Sequence, residues 1–188
     1  IMFADADDYF PDAEIFRKYV SLGEQTNADI IVSNYARLWE EKILPAAKHE
    51  SFALCSPSSE EFRFQGFFSV GTLSYVWGKL YRRALLIKNN AEFVDTKEIG
   101  TEDALFNMQA LKSVRRGVYI RRYFSHYRKN NTTSLTSTYK PKLSAQWNHL
   151  FECMYNTVVL AGGERKKDLL IALNNRISLS IIGLGLNA

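Results

Sequence analysis

Cysteine is nearly missing from this sequence: Cys55 and Cys153, far apart, are the only two in 188 residues. Neither a disulfide framework nor a cysteine metal cluster can be built from such a pair, and the usage favours a reducing compartment. Long apolar runs are missing too, since Asn174, Asn175 and Arg176 interrupt the last hydrophobic stretch and leave it too short to span a bilayer. A basic segment leading into an apolar one, the mark of a signal peptide, is not found at the start. Ile1-Met2-Phe3-Ala4 instead runs straight into acids, so the sequence reads as if it began inside a larger protein. It shows no internal repeat and no low-complexity tract.

What is present is the balance of an ordinary globular domain, 46% hydrophobic and 23% charged. One domain with an appended subdomain is the natural count. Twelve Phe, ten Tyr and three Trp exceed what a minimal core needs, which leaves some aromatic surface for a sugar site. The net charge of +4 is a local excess: Lys112, Arg115, Arg116, Arg121, Arg122, Arg128 and Lys129 crowd one region. Such a patch suits a diphosphate, anionic lipid headgroups or nucleic acid.

Along the chain, Ile1 to Ala4 reads as the tip of a buried strand that delivers Asp5, Asp7 and Asp8 to a loop, and strand ends are where α/β sheets bind ligands. Pro11 and Asp12 open a helix with Ile15, Phe16, Tyr19 and Val20 at helical spacing, Asp12 serving as cap. Ala28 to Ser33 reads as a strand. Residues 35–61 lack a clean period and contain Pro45 and Pro57, which predicts a loop-rich excursion with one short helix. Phe62 to Leu73 is aromatic and punctuated by glycine, and 75–87 mixes apolar residues with Lys79, Arg82 and Arg83 in helical fashion. Glu102 to Leu111 is a helix with Ala104, Leu105, Met108 and Leu111 on one face, and Val118 to Phe124 is a strand. Beyond Pro141, apolar residues recur at three and four from Leu143 to Val158, break at Gly162 and Gly163, and resume from Leu169 to Leu184. That pattern predicts a helical hairpin, able to pack on the core, on a partner or on a membrane surface.

Three carboxylates within four residues, Asp5, Asp7 and Asp8, repel one another unless a cation or a hydrogen-bond network holds them. Mg2+ or Mn2+ is the economical solution, because hard cations favour carboxylate oxygens together with substrate phosphates. The plain alternative is a solvated acidic turn ahead of a helix. A phosphotransferase of the haloacid-dehalogenase kind also sets two Asp after a strand, but it wants Thr or Val where this chain has Tyr9. Glu102 and Asp103, taken alone, are an acidic pair stabilising the first turn of their helix. Tyr119, Tyr123, Phe124 and Tyr127 alternate with basic residues, a pattern shared by a strand-based binder of single-stranded nucleic acid and by a strand with one charged face.

Four blocks taken in order go further. Phe3-Ala4-Asp5-Ala6-Asp7-Asp8-Tyr9-Phe10 resembles the D-x-D segment of family 2 glycosyltransferases, and Val76-Trp77-Gly78-Lys79-Leu80-Tyr81-Arg82-Arg83 resembles their "vWnKLyrr" segment. Thr101-Glu102-Asp103-Ala104-Leu105-Phe106 is similar to their "gEDllf" segment, and the stretch from His126 to Thr136 to the "yYr.n..Sit" segment that follows it. The match covers the chain from its start to about Thr136.

This resemblance implies an α/β fold, a partial GT-A, Rossmann-like core over residues 1–138; the last two helices lie outside it and, by their own period, form a helical C-terminal subdomain over 139–188. It implies a metal-dependent hexosyltransferase that moves a sugar, with inversion, from a nucleotide-diphosphate donor (most simply a UDP-sugar) to an acceptor hydroxyl in polysaccharide or glycolipid synthesis. Asp7, with Asp5 and Asp8, would hold Mn2+ or Mg2+ and the donor diphosphate, and His126 and Arg128 would approach from the other side. Asp103 would be the general base with Glu102 beside it, and Trp77, Lys79 and Tyr81 would line the acceptor site unless they are core. A glycan or lipid-linked acceptor would place the protein in the cytoplasm at the inner face of the membrane, where a basic patch meets anionic lipid. No nucleic-acid partner is expected on this reading. The family's base-binding half, with its "P-x-y-N" turn, does not precede Ile1, so the chain alone is expected to have little transferase activity. The rival readings are a non-catalytic glycan- or nucleotide-binding module and a nucleic-acid-binding domain.

Overall fold

In the computed structural model the described residues are 1–6, 8–10, 13–39, 42–45, 52–54, 73–128, 142–161 and 163–186. At the centre run two long parallel strands, β1 (Ile30–Trp39) and β5 (Gly117–Arg128), paired from Ile30↔Gly117 to Leu38↔Arg128. β2 (Lys42–Pro45) and β4 (Lys79–Tyr81) pair antiparallel with β1, β2 along its far half and β4 along Ile30 to Val32. β3 (Phe52–Leu54) pairs antiparallel with β5, so the order is β2-β1-β5-β3. The sheet is mixed and flanked by helices, the α/β architecture expected. The parallel register slips after Ser33 and again after Asn34, so that Asn34 faces Tyr123 and Tyr35 faces Ser125. Arg121 and Arg122 fall inside the first slip, where two residues of β5 have no partner in β1. Such irregularities re-aim side chains beside functional sites.

Helix α1 (Glu14–Thr26) forms where the spacing placed it. Its Ile15 and Tyr19 are buried against Ile31 and Val118, whereas Phe16 and Val20 lie outside, 38% and 47% exposed. Asn27 ends the helix in the left-handed region at φ 51°, which Asn tolerates, and its N–H bonds Glu24 O at 3.2 Å. The cap proposed for the other end, Asp12, lies outside the described residues.

Three expectations are overturned among the described residues. Within 35–61, the described residues form strand rather than loop and helix: β1 continues to Trp39, and β2 and β3 follow. The hydrophobic period is weak there because the apolar residues are not all inside: Ala36 is buried and Leu38 half-buried, whereas Ile43 and Leu44 of β2 are exposed. Within 75–87, a strand precedes a short helix, α2 (Arg83–Asn89). Gly78 adopts φ 68°, a conformation that ends any helix there, and it is followed by a period of two: Lys79 and Tyr81 buried, Leu80 half-buried. No strand forms at Ile1–Ala4, but Ile1 is held at the end of β4 by N–H to Tyr81 O at 2.7 Å and Tyr81 N–H to Ile1 O at 2.8 Å.

Helix α3 (Glu102–Leu111) appears with its expected bounds but is buried nearly all round, seven of its ten residues lying inside. A helix with no solvent face belongs to the middle of a core. The hairpin also forms, as α4 (Leu143–Leu160) and α5 (Gly163–Leu186). Its seam is Leu150, Met154 and Val158 against Leu169, Ala172 and Leu173, all buried and continuous with Met108 and Leu111 of α3. Each such aliphatic side chain contributes roughly 1.5–3 kcal/mol by leaving water. No helix among the described residues is long and apolar enough to cross a membrane.

Candidate active site

The first turn of α3 carries Asp103, whose carboxylate is largely withdrawn from water. Its Oδ2 accepts the backbone N–H of Val76 at 3.1 Å. Burial pushes its pKa up from 3.8 to about 6; the neighbouring Glu102 charge and, more weakly, Asp5 push the same way. The Val76 N–H and Lys79 pull it back. A helix N-terminus also favours the anion, yet desolvation wins here. The result is a carboxyl poised near neutrality, the range in which a base exchanges protons efficiently.

Segment 73–78 passes across the front of α3 and is tied down at each step. Asn107, one helical turn beyond Asp103, donates through Nδ2 to the carbonyls of Leu73 and Tyr75, both at 2.9 Å. The Asn107 Oδ1 accepts the Tyr81 hydroxyl at 2.6 Å. Gly78 closes the segment in the left-handed region, and its carbonyl takes both the N–H and the hydroxyl of Ser33, each at 3.0 Å. From the hairpin, Arg176 Nη1 donates to Ser74 Oγ at 3.2 Å. Gln146 Nε2 donates to the carbonyls of Thr96 and Lys97, at 3.3 and 2.9 Å, in the loop that leads into α3. Gly100 sits so close behind that loop that a Cβ there would come within 3.0 Å of Gln146 Oε1.

Trp77 stands in an aromatic stack rather than alone. Its ring lies parallel to Tyr75 at 4.1 Å and to Tyr127 at 5.5 Å, and Tyr35 meets it edge-on at 4.8 Å. Only 8% of Trp77 is exposed. Lys79 is buried entirely, its Nζ donating to Tyr75 O and lying 3.8 Å over the Tyr75 ring. Burial drives its pKa well down, against the opposing pull of Asp103. Tyr81 is buried as well, with its hydroxyl spent on Asn107. Of the three residues assigned to an acceptor surface, two thus have the contacts of interior residues, and Trp77 keeps a sliver of surface at the edge of a stack.

The acidic segment is folded as a turn, with Asp8 N–H bonded to Asp5 O at 3.2 Å, so both residues belong to one loop. Asp7 lies outside the described residues. The loop is fastened to β5: His126 N–H donates to Tyr9 O at 3.0 Å in an antiparallel bridge, and the two rings meet edge-on at 4.8 Å. Burial lowers the His126 pKa, and among the described residues its Nδ1 has no hydrogen-bond partner. Arg128 ends β5 two residues further on, and its side chain is not described. Among the described residues no three His, Cys, Asp or Glu side chains converge as a ready metal set. Two hard carboxylates on one turn still match the oxygen donors that Mg2+ or Mn2+ would use, and the His126 imidazole lies beside that turn.

The structure therefore brings Asp5 within electrostatic reach of Asp103 and His126 into contact with the loop that bears the acids. Three participants escaped sequence reasoning: Asn107, Tyr75 and Tyr35. Asn107 left one usable signal, an amide in the middle of an otherwise apolar helical run and four residues after Asp103. The two tyrosines left none, since their role depends on a stack formed by separate segments.

No family model matches the chain, and no curated protein does. Solved structures do. Crystal structures of S. aureus TarS residues 1–349 match with a TM-score of 0.66 and 20% identity in complex with UDP-GlcNAc, and with 0.64 and 17% in complex with UDP. Each match covers 93% of this chain but only 47% and 46% of the other. A crystal structure of S. aureus TarS matches at a TM-score of 0.61 with 18% identity, over 28% of its length. The chain thus shares its fold with part of TarS and spans less than half the length of the proteins it matches.

Proposed function

From a fold shared with a protein that binds UDP-GlcNAc, we propose that this chain supplies the metal-binding and acceptor side of an inverting glycosyltransferase. The observation that carries the reading is Asp103: a half-buried carboxyl, held by the Val76 N–H, with a pKa raised to about 6 and the charge of Asp5 within reach. Asp103 takes the proton of an acceptor hydroxyl as that oxygen forms its bond to the anomeric carbon and the bond to the diphosphate breaks. Attack from the face opposite the leaving group inverts the centre. Glu102 adjoins the base and raises its proton affinity. Asp5, Asp7 and Asp8 would hold a Mn2+ or Mg2+ ion, with His126 and Arg128 on the facing side. When bound, that ion offsets the charge on the departing nucleotide diphosphate. The donor is a UDP-sugar and the acceptor a glycan or lipid-linked glycan, made at the cytoplasmic face of a membrane. Residues 139–188 act as a helical subdomain behind this site.

The experiment is turnover of UDP-hexoses by the intact protein, with Mn2+ present and chelated, for the wild type and Asp103→Asn. Loss of turnover in the variant with UDP binding retained supports the reading. Turnover equal to wild type in Asp103→Asn ends it, and salt-sensitive, metal-indifferent capture of an oligonucleotide would mark a nucleic-acid binder instead.

A further inference from the structure

Asn107 has no place in the mechanism above, yet its surroundings are those of a positioning group. Its side chain is fully buried in the centre of α3, and it spends three hydrogen bonds, two given and one taken. An amide in such a place is costly unless every bond is made. The bonds are not spread at random: both donors go to carbonyls of one short segment, at Leu73 and Tyr75. The next backbone N–H along that segment, Val76, is the one that reaches Asp103 Oδ2. Asp103 and Asn107 are four residues apart on one helix, so they lie on the same face and grip the same strip of backbone from adjacent turns.

We propose that Asn107 is a positioning residue: by fixing the Leu73 and Tyr75 carbonyls it holds the Val76 N–H on Asp103, and so sets the direction from which that carboxylate meets the acceptor hydroxyl. The inference rests on the reading of Asp103 as base. Tyr81 is the third member, since its hydroxyl locks the Asn107 amide so that Nδ2 faces the carbonyls. The groups acting on Asp103 are then Glu102 beside it, Lys79 and the backbone of Val76 from the crossing segment, and Asp5 from the acidic loop. The Val76 contact passes through Asn107, and Lys79 is coupled to it as well, because its Nζ shares the Tyr75 carbonyl with Asn107 Nδ2; both favour the ionised Asp103.

The test is Asn107→Leu in the intact protein, assayed by UDP release from whichever UDP-hexose the wild type turns over, with Asp103→Asn alongside. The expected result is a kcat lower by about 10- to 100-fold, the scale of a misplaced catalytic group, with the donor KM within about twofold of wild type. The acid limb of the pH–rate profile is expected to move to higher pH, because losing the Val76 N–H removes a group that favours the ionised base. Unchanged kcat with an unmoved acid limb overturns the proposal. So does an equal loss at every pH, which marks a packing role only. Should circular dichroism show Asn107→Leu unfolded, Tyr81→Phe releases the amide without emptying the site; a fall in kcat with the same displacement of the acid limb is expected, and wild-type behaviour overturns the idea. An active Asp103→Asn would sink the base assignment itself, whereas an inactive Asp103→Asn beside a fully active Asn107→Leu would sink only the role of Asn107.

Discussion

Two parts of this interior are built on opposite principles. The hairpin seam between α4 and α5 is aliphatic: Leu150, Met154, Val158, Leu169, Ala172 and Leu173 close on one another without a polar atom among their side chains. Around Asn107 of α3 and the strands β1 and β4, the interior instead holds Lys79, Tyr81, Asn107, Ser33 and Asn34, each buried. The seam contributes stability that tolerates small shifts, because dispersion and the hydrophobic effect are nearly non-directional. The polar side contributes direction instead: its hydrogen bonds fail with small displacements and leave costly unpaired groups behind. One region therefore holds the chain together and the other holds a carboxylate in place.

The largest expected effect separates the two at once. Asp103→Asn should lower turnover by about 10²- to 10⁴-fold, the usual contribution of a general base, while the protein remains folded by circular dichroism. Leu150→Ala and Leu173→Ala should do the reverse. Each should cost about 2–5 kcal/mol in urea unfolding, with kcat per folded molecule unchanged. A hairpin variant that keeps its stability but loses kcat would break the comparison. Tyr81→Phe sits between the regions and should cost about 1 kcal/mol, as one bonded hydroxyl is lost and Asn107 Oδ1 is left without its donor.

The smallest effect concerns sign. Burial raises the Asp103 pKa to about 6 from 3.8, so the folded state binds the proton more tightly than the unfolded chain. That contribution is fully present below the unfolded value and is lost as pH rises through the folded one. At pH 8 the ionised carboxylate therefore destabilises the fold, and Asp103→Asn should be more stable than wild type by on the order of 1 kcal/mol, after allowance for partial exposure to solvent. Urea melts at pH 8 and pH 4 would show the gain at the first and none at the second. An equal gain at both values would point to packing rather than charge.

Much of this contrast is legible in the residues, though unevenly. The hairpin, α3 and the core of β5 are written in hydrophobic period, which survives without tertiary information. The strand Lys79–Tyr81 reads as helix because a lysine two residues before a tyrosine in a basic run looks like a solvated face; only the pairing with β1 shows that both are buried, and the positive φ at Gly78 that no helix runs through. The extended part of β1 is hidden for a related reason, since Ser33 and Asn34 interrupt the apolar pattern while packing inside. At the site, the order of motifs marks Asp103 and the acidic loop. Which side chains fix them is set by contacts over long sequence separations, such as Tyr81 to Asn107 and Tyr9 to His126, and no local pattern encodes those.

The reach of Gln146 and Arg176 across to residues 96–97 and 74 has one further consequence. Both backbone stretches that frame Asp103, the approach to α3 and the crossing in front of it, are moored to the same pair of C-terminal helices. Trimming the chain back to the end of β5 would cut both moorings together, so the last quarter of the sequence belongs to the precision of the site and not only to its bulk.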